Sequence, residues 1–220
     1  KVPANRPIAV HPLDADGKAL ALMGCWFVVM PNETQSCVGC HEGQGMTPTT
    51  APAAAARKRP ENIREFLAPV RGYSFDRDVQ PVLVQYCAGC PNPDANTNIP
   101  NFSRKNPKIW RKFSESYLNL TKYVRRSGPE SNQHMLAPLE FHADTSELMQ
   151  MLEKGHKGVK LDADSKAALI TWIDLNVPFF GTWKEVYPAV KHDGYERRKF
   201  FLATYGKRHD DPNESKYVGG

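Results

Sequence analysis

Cys37-Val38-Gly39-Cys40-His41 sets two thiols three positions apart, with a histidine directly after the second. This CxxCH spacing is the one at which a polypeptide captures haem c. The thiols add to the two vinyl groups on one edge of the porphyrin, and the histidine falls under the iron as an axial ligand. With five Cys and seven His in 220 residues, chance yields the pattern on the order of 0.004 times per chain, so the spacing itself carries the reading. A structural zinc site and a vicinal disulfide are the competing chemistries. A zinc ribbon brings its second CxxC after about 15–20 residues, whereas 46 residues separate Cys40 from the next pair; haem is therefore preferred and zinc kept as the alternative.

That next pair is Cys87-Ala88-Gly89-Cys90. Two CxxC pairs are not accidental in a chain where chance predicts about 0.1. Pro91 stands where a ligating histidine would be, and proline neither binds iron nor offers a backbone donor. Three readings are open: a haem whose axial ligands come from elsewhere, a disulfide formed in an oxidising compartment, and a substitution or error at position 91. An iron there would draw its ligand from downstream. His156, with Gly155 and Gly158 around it after a short amphipathic stretch carrying Leu148, Met149, Met151 and Leu152, is the first choice. His134 and His142, near Met135 and Pro138, are second choices that read equally as loop histidines. Met149 and Met151 stand at helical spacing, which suits a core better than a thioether ligand. Cys25, the odd thiol, lies in an apolar run and reads as an inert core residue, the alternative being a ligand beside haem or zinc.

Elements must hold these groups. Leu20, Leu22, Met23, Trp26, Phe27 and Val28 predict a short helix within 17–30 that delivers the chain to the first motif. Residues 30–34 read as a loop closing the apolar run, and the glycines of 42–46 would let the backbone pass close to a flat ring. Residues 47–60 are a low-complexity link and the boundary between a middle-type haem domain over 1–60 and a cytochrome-c-like domain over 61–220. In the second part Ser74 or Asp76 can cap a helix bearing Val79, Val82, Leu83 and Tyr86 on one face, with Pro81 in its first turn. Residues 162–177 predict the clearest helix. Asp162 or Asp164 caps it, Pro178 stops it, and its stripe Leu169, Trp172, Ile173 and Val177 would pack across the helix ending at Tyr86. A further short helix is expected over 195–205.

A 24.7 kDa chain with 40% apolar residues, 18 Pro and 15 Gly suits a mainly α fold of short helices and long loops around covalently bound haem, which supplies apolar surface that the side chains lack. The net charge of +5 is scattered and offset by haem propionates, so no nucleic-acid partner is expected. Lys105, Lys108, Arg111 and Lys112 form the densest basic face, read as solvated surface or as a guide for an acidic partner. No apolar run is long enough to cross a bilayer. Lys1 to Pro7 read like the interior of a longer chain. Covalent haem attachment takes place outside the cytoplasmic membrane, which sets the expected compartment.

At this point the chain resembles a family. The run Pro12-Leu13-Asp14-Ala15-Asp16-Gly17-Lys18-Ala19-Leu20, Trp26-Phe27, Met30-Pro31 and Ser36 to Glu42 is similar to the middle domain of hydrazine synthase alpha subunits and their planctomycete relatives. Phe75 to Pro81 before Cys87, with Trp172 to Pro178, resembles the C-terminal cytochrome c domain of that family. The resemblance implies a propeller domain ahead of this chain, one haem in each of the two domains, and an anammoxosome-type or periplasmic compartment. In the family the middle-domain haem is where hydroxylamine and ammonia condense to hydrazine; the motif histidine binds zinc, and a tyrosine four residues on holds the iron. Here those positions are His41 and Gly45, a departure that favours His41 as an ordinary iron ligand. The family's second haem is held by two histidines. Pro91 replaces one, and His156 is matched to the other.

Three functions follow as expectations. The first is a multihaem electron-transfer module that works with other subunits of a redox complex and with an electron-transfer partner. The second is a haem enzyme acting on small nitrogen compounds, with Glu42 or Asp14 as acid or base. The third is a structural subunit that keeps one haem as a folding staple.

Overall fold

The structure is a computed structural model that describes residues 1–37, 54–63, 71–89, 100–103, 113–124, 126, 137–186 and 195–209. Cys40, His41, Glu42, Gly45, Cys90, Pro91, His134 and Met135, with the basic face at 105–112, lie outside them. Among the described residues the architecture is mainly helical and has no strand, only two isolated antiparallel bridges, Ile8 with Phe27 and Leu13 with Ala19.

The core draws on four helices and the turns beside them. A π-turn, Phe75–Val79, runs straight into helix α1, Gln80–Tyr86, whose first turn accepts Pro81 because the amide that proline lacks has no intrahelical acceptor there. The expected caps act differently. Ser74 makes no side-chain cap; instead Asp78 reaches back and accepts from the Ser74 amide at 2.7 Å. Helices α2 (Glu115–Leu120) and α3 (Glu147–Glu153) are opened by Ser114 and Ser146, whose hydroxyls accept from the amides three residues on.

Helix α4, Ala163–Asp174, is capped by Asp162, which accepts from Ser165 N at 2.6 Å. Its end is written by backbone geometry before Pro178 is reached. Asn176 turns left-handed at φ 62°, its amide bonds to Ile173 O at 2.9 Å, and Val177 N bonds to Trp172 O at 2.9 Å. These two bonds satisfy carbonyls that the last turn would leave open. Val177, a β-branched residue, also sits at φ 53° and is strained there.

The predicted packing of α4 across the segment ending at Tyr86 is present, and its main contact is with the π-turn ahead of α1. Trp172 is fully buried with its ring 5.5 Å from Phe75, and Tyr117 and Phe179 complete an aromatic cluster around Phe75. Two tyrosines tie the helices at their edges: Tyr73 donates to Ala168 O and Tyr86 to Asp162 Oδ2, both at 2.7 Å. Burial pushes the Tyr73 phenol up to about 12. Gly72 lies so close to Gly181 that neither backbone has room for a side chain at that contact.

The segment predicted as a helix over 17–30 is not helical. Residues 26–30 run extended against residues 5–8, with Ile8 N to Phe27 O at 2.9 Å, Phe27 N to Ile8 O at 3.0 Å and Asn5 N to Val29 O at 2.8 Å. Aromatic and β-branched residues in succession favour the extended chain, and the apolar spacing that suggested a helix is the sum of two opposite faces. The last helices are short α5, Trp183–Val186, and α6, Tyr195–Thr204, which leaves Phe200, Phe201 and Tyr205 exposed. No helix among the described residues is long and apolar enough to cross a membrane.

Candidate functional site

Of the first motif, only Cys37 falls within the described residues, and it is exposed. The chain reaches it through a tight turn. Pro31 and Asn32, the latter at φ 63°, occupy the centre of a turn closed by Glu33 N to Met30 O at 3.1 Å. Glu33 Oε2 accepts from Met30 N at 2.6 Å, and Gln35 Nε2 donates to Val28 O at 3.2 Å. The returning residues therefore lie beside the outgoing ones. Cys25 is exposed, not buried as its apolar neighbours suggested, and it sits at a bend just ahead of the extended residues 26–30.

The residues of the second motif divide. Cys87 ends α1, its amide bonded to Leu83 O at 2.8 Å and its side chain packed at the edge of the apolar core. His156 opens a single 3₁₀ turn after α3, with Gly155 at φ 84° and Gly158 at φ 77° beside it. The expected freedom at these glycines is thus used to reverse the chain. His156 faces a shallow groove of about 350 Å³ lined by Glu147, Gln150, Met151, Lys154 and Gly155, and Cys87 is not in that lining. Met149 is core, as its spacing predicted, and Met151 half so.

A third group of residues forms the most developed polar site. Asp14 Oδ1 accepts from the amides of Asp16 and Lys18, each at 2.9 Å, and its Oδ2 meets His142 Nε2 at 3.0 Å. These partners hold the Asp14 carboxyl below the usual carboxylate range, the Lys18 amide first and His142 next. Lys18 is nearly buried and donates to Asp144 Oδ2 at 2.6 Å, which raises its ammonium above its ordinary value. Ala19 N donates to Asp174 Oδ2 at 3.0 Å, while the buried Asp174 Oδ1 has no hydrogen-bond partner among the described residues. Burial pushes the Asp174 carboxyl up, and Asp14 and Asp144 add to the effect. Burial also holds His11 below the usual imidazole range, although its ring bonds to the backbones of Met23 and Asp174.

This arrangement fastens. Residues 13–19 close a small loop around Gly17, at φ 81°, and the loop is pinned to the turn at 139–145 and to the end of α4, with Leu139 N to Leu20 O at 2.7 Å as the backbone link. Asp14, considered from its sequence as a catalytic base, makes three hydrogen bonds within the protein, and its lowered carboxyl makes it a weaker base. His142, considered as a ligand, donates to Asp14 through Nε2 and accepts from Asp144 N through Nδ1 at 3.2 Å. Sequence reasoning missed Lys18, Asp144 and Asp174 altogether; the Asp-x-Asp-Gly-Lys turn was the one local signal, and its partners lie more than 120 residues away. Among the described residues no group of three His, Cys, Asp or Glu is placed to hold a metal ion.

Residues 1–42 match the family model of the hydrazine synthase alpha subunit middle domain. The matched segment contains the loop at 13–19, the extended pair at 5–8 and 26–30, and the whole CxxCH motif. No curated protein and no solved structure matches the chain. The N-terminal segment is thus similar to a hydrazine synthase domain, and the remaining residues, 43–220, stand on their own physical reading.

At the first motif the described residues offer one thiol and an apolar surface near it in sequence. Cys37 is open to solvent, and Trp26 and Met30, close before it in sequence, are 69% exposed, an apolar surface that a porphyrin would cover.

Proposed function

We propose that this chain is a c-type haem module of a hydrazine-synthase-like redox assembly and carries electrons through haem c held on Cys37 and Cys40, with His41 as axial ligand. The observation that carries this reading is the position of the CxxCH motif at the end of the segment that matches the synthase domain. Haem c supplies one-electron chemistry at the iron. This chain's residues attach it, ligate it and limit its contact with water. A second haem on Cys87 and Cys90, ligated by His156, belongs to the same proposal, as do partner subunits and a compartment outside the cytoplasmic membrane.

Gly45, in the place of the synthase tyrosine, favours electron transfer over hydrazine formation. The catalytic reading, condensation of hydroxylamine with ammonia, is favoured by the match to the alpha subunit itself. A pyridine haemochrome count on the matured chain, with the mass of the peptide spanning 37–41, tests the proposal. Attached haem in six-coordinate, low-spin form is the expected result. A high-spin iron that binds hydroxylamine would transfer the argument to catalysis, a single inert haem to the structural role, and a colourless chain with an unmodified peptide would overturn all three.

A further inference from the structure

Trp26, Val28 and Met30 alternate with Phe27 and Val29 along one extended segment, and alternate side chains of such a segment point to opposite sides. Val29 is 6% exposed and Phe27 is half-buried, so this parity faces the protein. The other parity faces outward: Trp26 is 69% exposed, Val28 44% and Met30 69%. Three large apolar side chains in line on one outward face form a continuous stripe, which single exposed residues do not.

The turn at Pro31 and Asn32 decides what lies along this stripe. The turn bond from Glu33 N to Met30 O and the Gln35 side chain on the Val28 carbonyl bring the returning chain back beside the stripe. Cys37 follows Gln35 by two residues. A porphyrin tethered to Cys37 would start from this returning chain, and its flat apolar face is matched to the indole and to the flexible thioether side chain of Met30.

We propose that the outward face of Trp26, Val28 and Met30 is the bed on which the haem attached at Cys37 lies. The inference rests on the haem reading above and adds the surface that receives the ring. Its occupant is the chain's own haem. A second copy of the chain or a partner protein would need no thiol beside the stripe.

Hydroxyl-radical footprinting of the matured full chain, beside a C37S/C40S variant that cannot attach haem there, tests it without altering the stripe. Labelling of Trp26, Val28 and Met30 is expected to fall at least about threefold in the haem-bearing chain, the change that follows when most of a side chain is covered. Equal labelling in both chains, whether strong or weak, overturns the proposal while a positive haemochrome count leaves the haem reading standing. A W26A variant gives a second readout. With full haem content its Soret circular dichroism should lose at least about half its amplitude and W26F should restore it; an unchanged spectrum overturns the bed. If the parent chain carries no haem at Cys37, bed and haem reading fall together.

Discussion

His142 and Asp14, separated by 128 residues, meet at 3.0 Å between Nε2 and Oδ2. The histidine is 7% exposed, and the acid is fixed by two further amides, so the pair sets the place of the loop at 13–19 on the helical body. Substituting H142A removes a buried ring and leaves the carboxylate without its side-chain donor. The expected loss is about 2 kcal/mol of unfolding free energy, read from denaturant titration. H142Q, which keeps a donor, should recover part of it.

Asp14 and Asp174 act with opposite signs on the pH dependence of stability. The Asp14 carboxyl is held below its ordinary value of 3.8, so the stability it contributes is complete above that value and is lost as pH falls through the lower folded value. The Asp174 carboxyl is raised above 3.8, so the folded state binds its proton more tightly than the unfolded chain does. Its contribution is greatest below 3.8 and declines as pH rises through the folded value. Melting temperature against pH should therefore fall steeply in strong acid for the parent and less so for D14N. D174N, which keeps an acceptor for Ala19 N, should flatten the decline on the weakly acidic side. An identical profile for D174N and parent would remove Asp174 from this account.

Trp172 is fully enclosed, and its Nε1 donates to Pro178 O at 3.0 Å. W172A removes the largest side chain of the aromatic cluster and should cost about 3–5 kcal/mol. W172F keeps most of the packing but removes the donor to a half-buried carbonyl, and about 1–2 kcal/mol is expected. Chemical denaturation followed by far-UV circular dichroism checks both. Near-equal losses for the two variants would mean that the hydrogen bond, and not the packing, anchors the end of α4.

What was legible in the sequence follows the range of the forces involved. Helix α4 could be read because its cap at Asp162, its stripe and its stop all lie within one short stretch, and the stripe also predicted its packing, which falls on Phe75 in the π-turn ahead of α1. The helix expected over 17–30 was misread because its apolar residues serve two faces of an extended chain; whether Phe27 points in or out is decided by its pairing with Ile8, which no local pattern states. The polar loop is similar. Asp14 shows itself as a turn former, but Lys18 and Ala19 find their acids at Asp144 and Asp174, and such distant pairing leaves no periodicity to read. Both CxxC motifs were legible as spacings, yet spacing alone does not assign what the thiols hold.

Cys87 and Cys90 provide the last prediction. Cys87 closes α1 through its amide, and that bond survives a change of side chain. Exchange for serine at both positions should therefore leave the far-UV spectrum of the body intact while changing what the thiols carry. If the second motif holds haem, C87S/C90S halves the haemochrome count of the matured chain from two to one. If the thiols form a disulfide, the count stays at one in parent and variant, and the unmodified parent yields two fewer alkylatable thiols before reduction than after it. The serine pair would then lower the midpoint of thermal unfolding, since breaking a cross-link frees the unfolded chain. The shallow groove at His156, whose lining omits Cys87, makes H156A the companion variant. Should the count be two in the parent, H156A is expected to keep both haems attached and to shift one of them from low to high spin, because covalent attachment needs the thiols and spin state needs the ligand. An unshifted spectrum would assign that iron to another ligand.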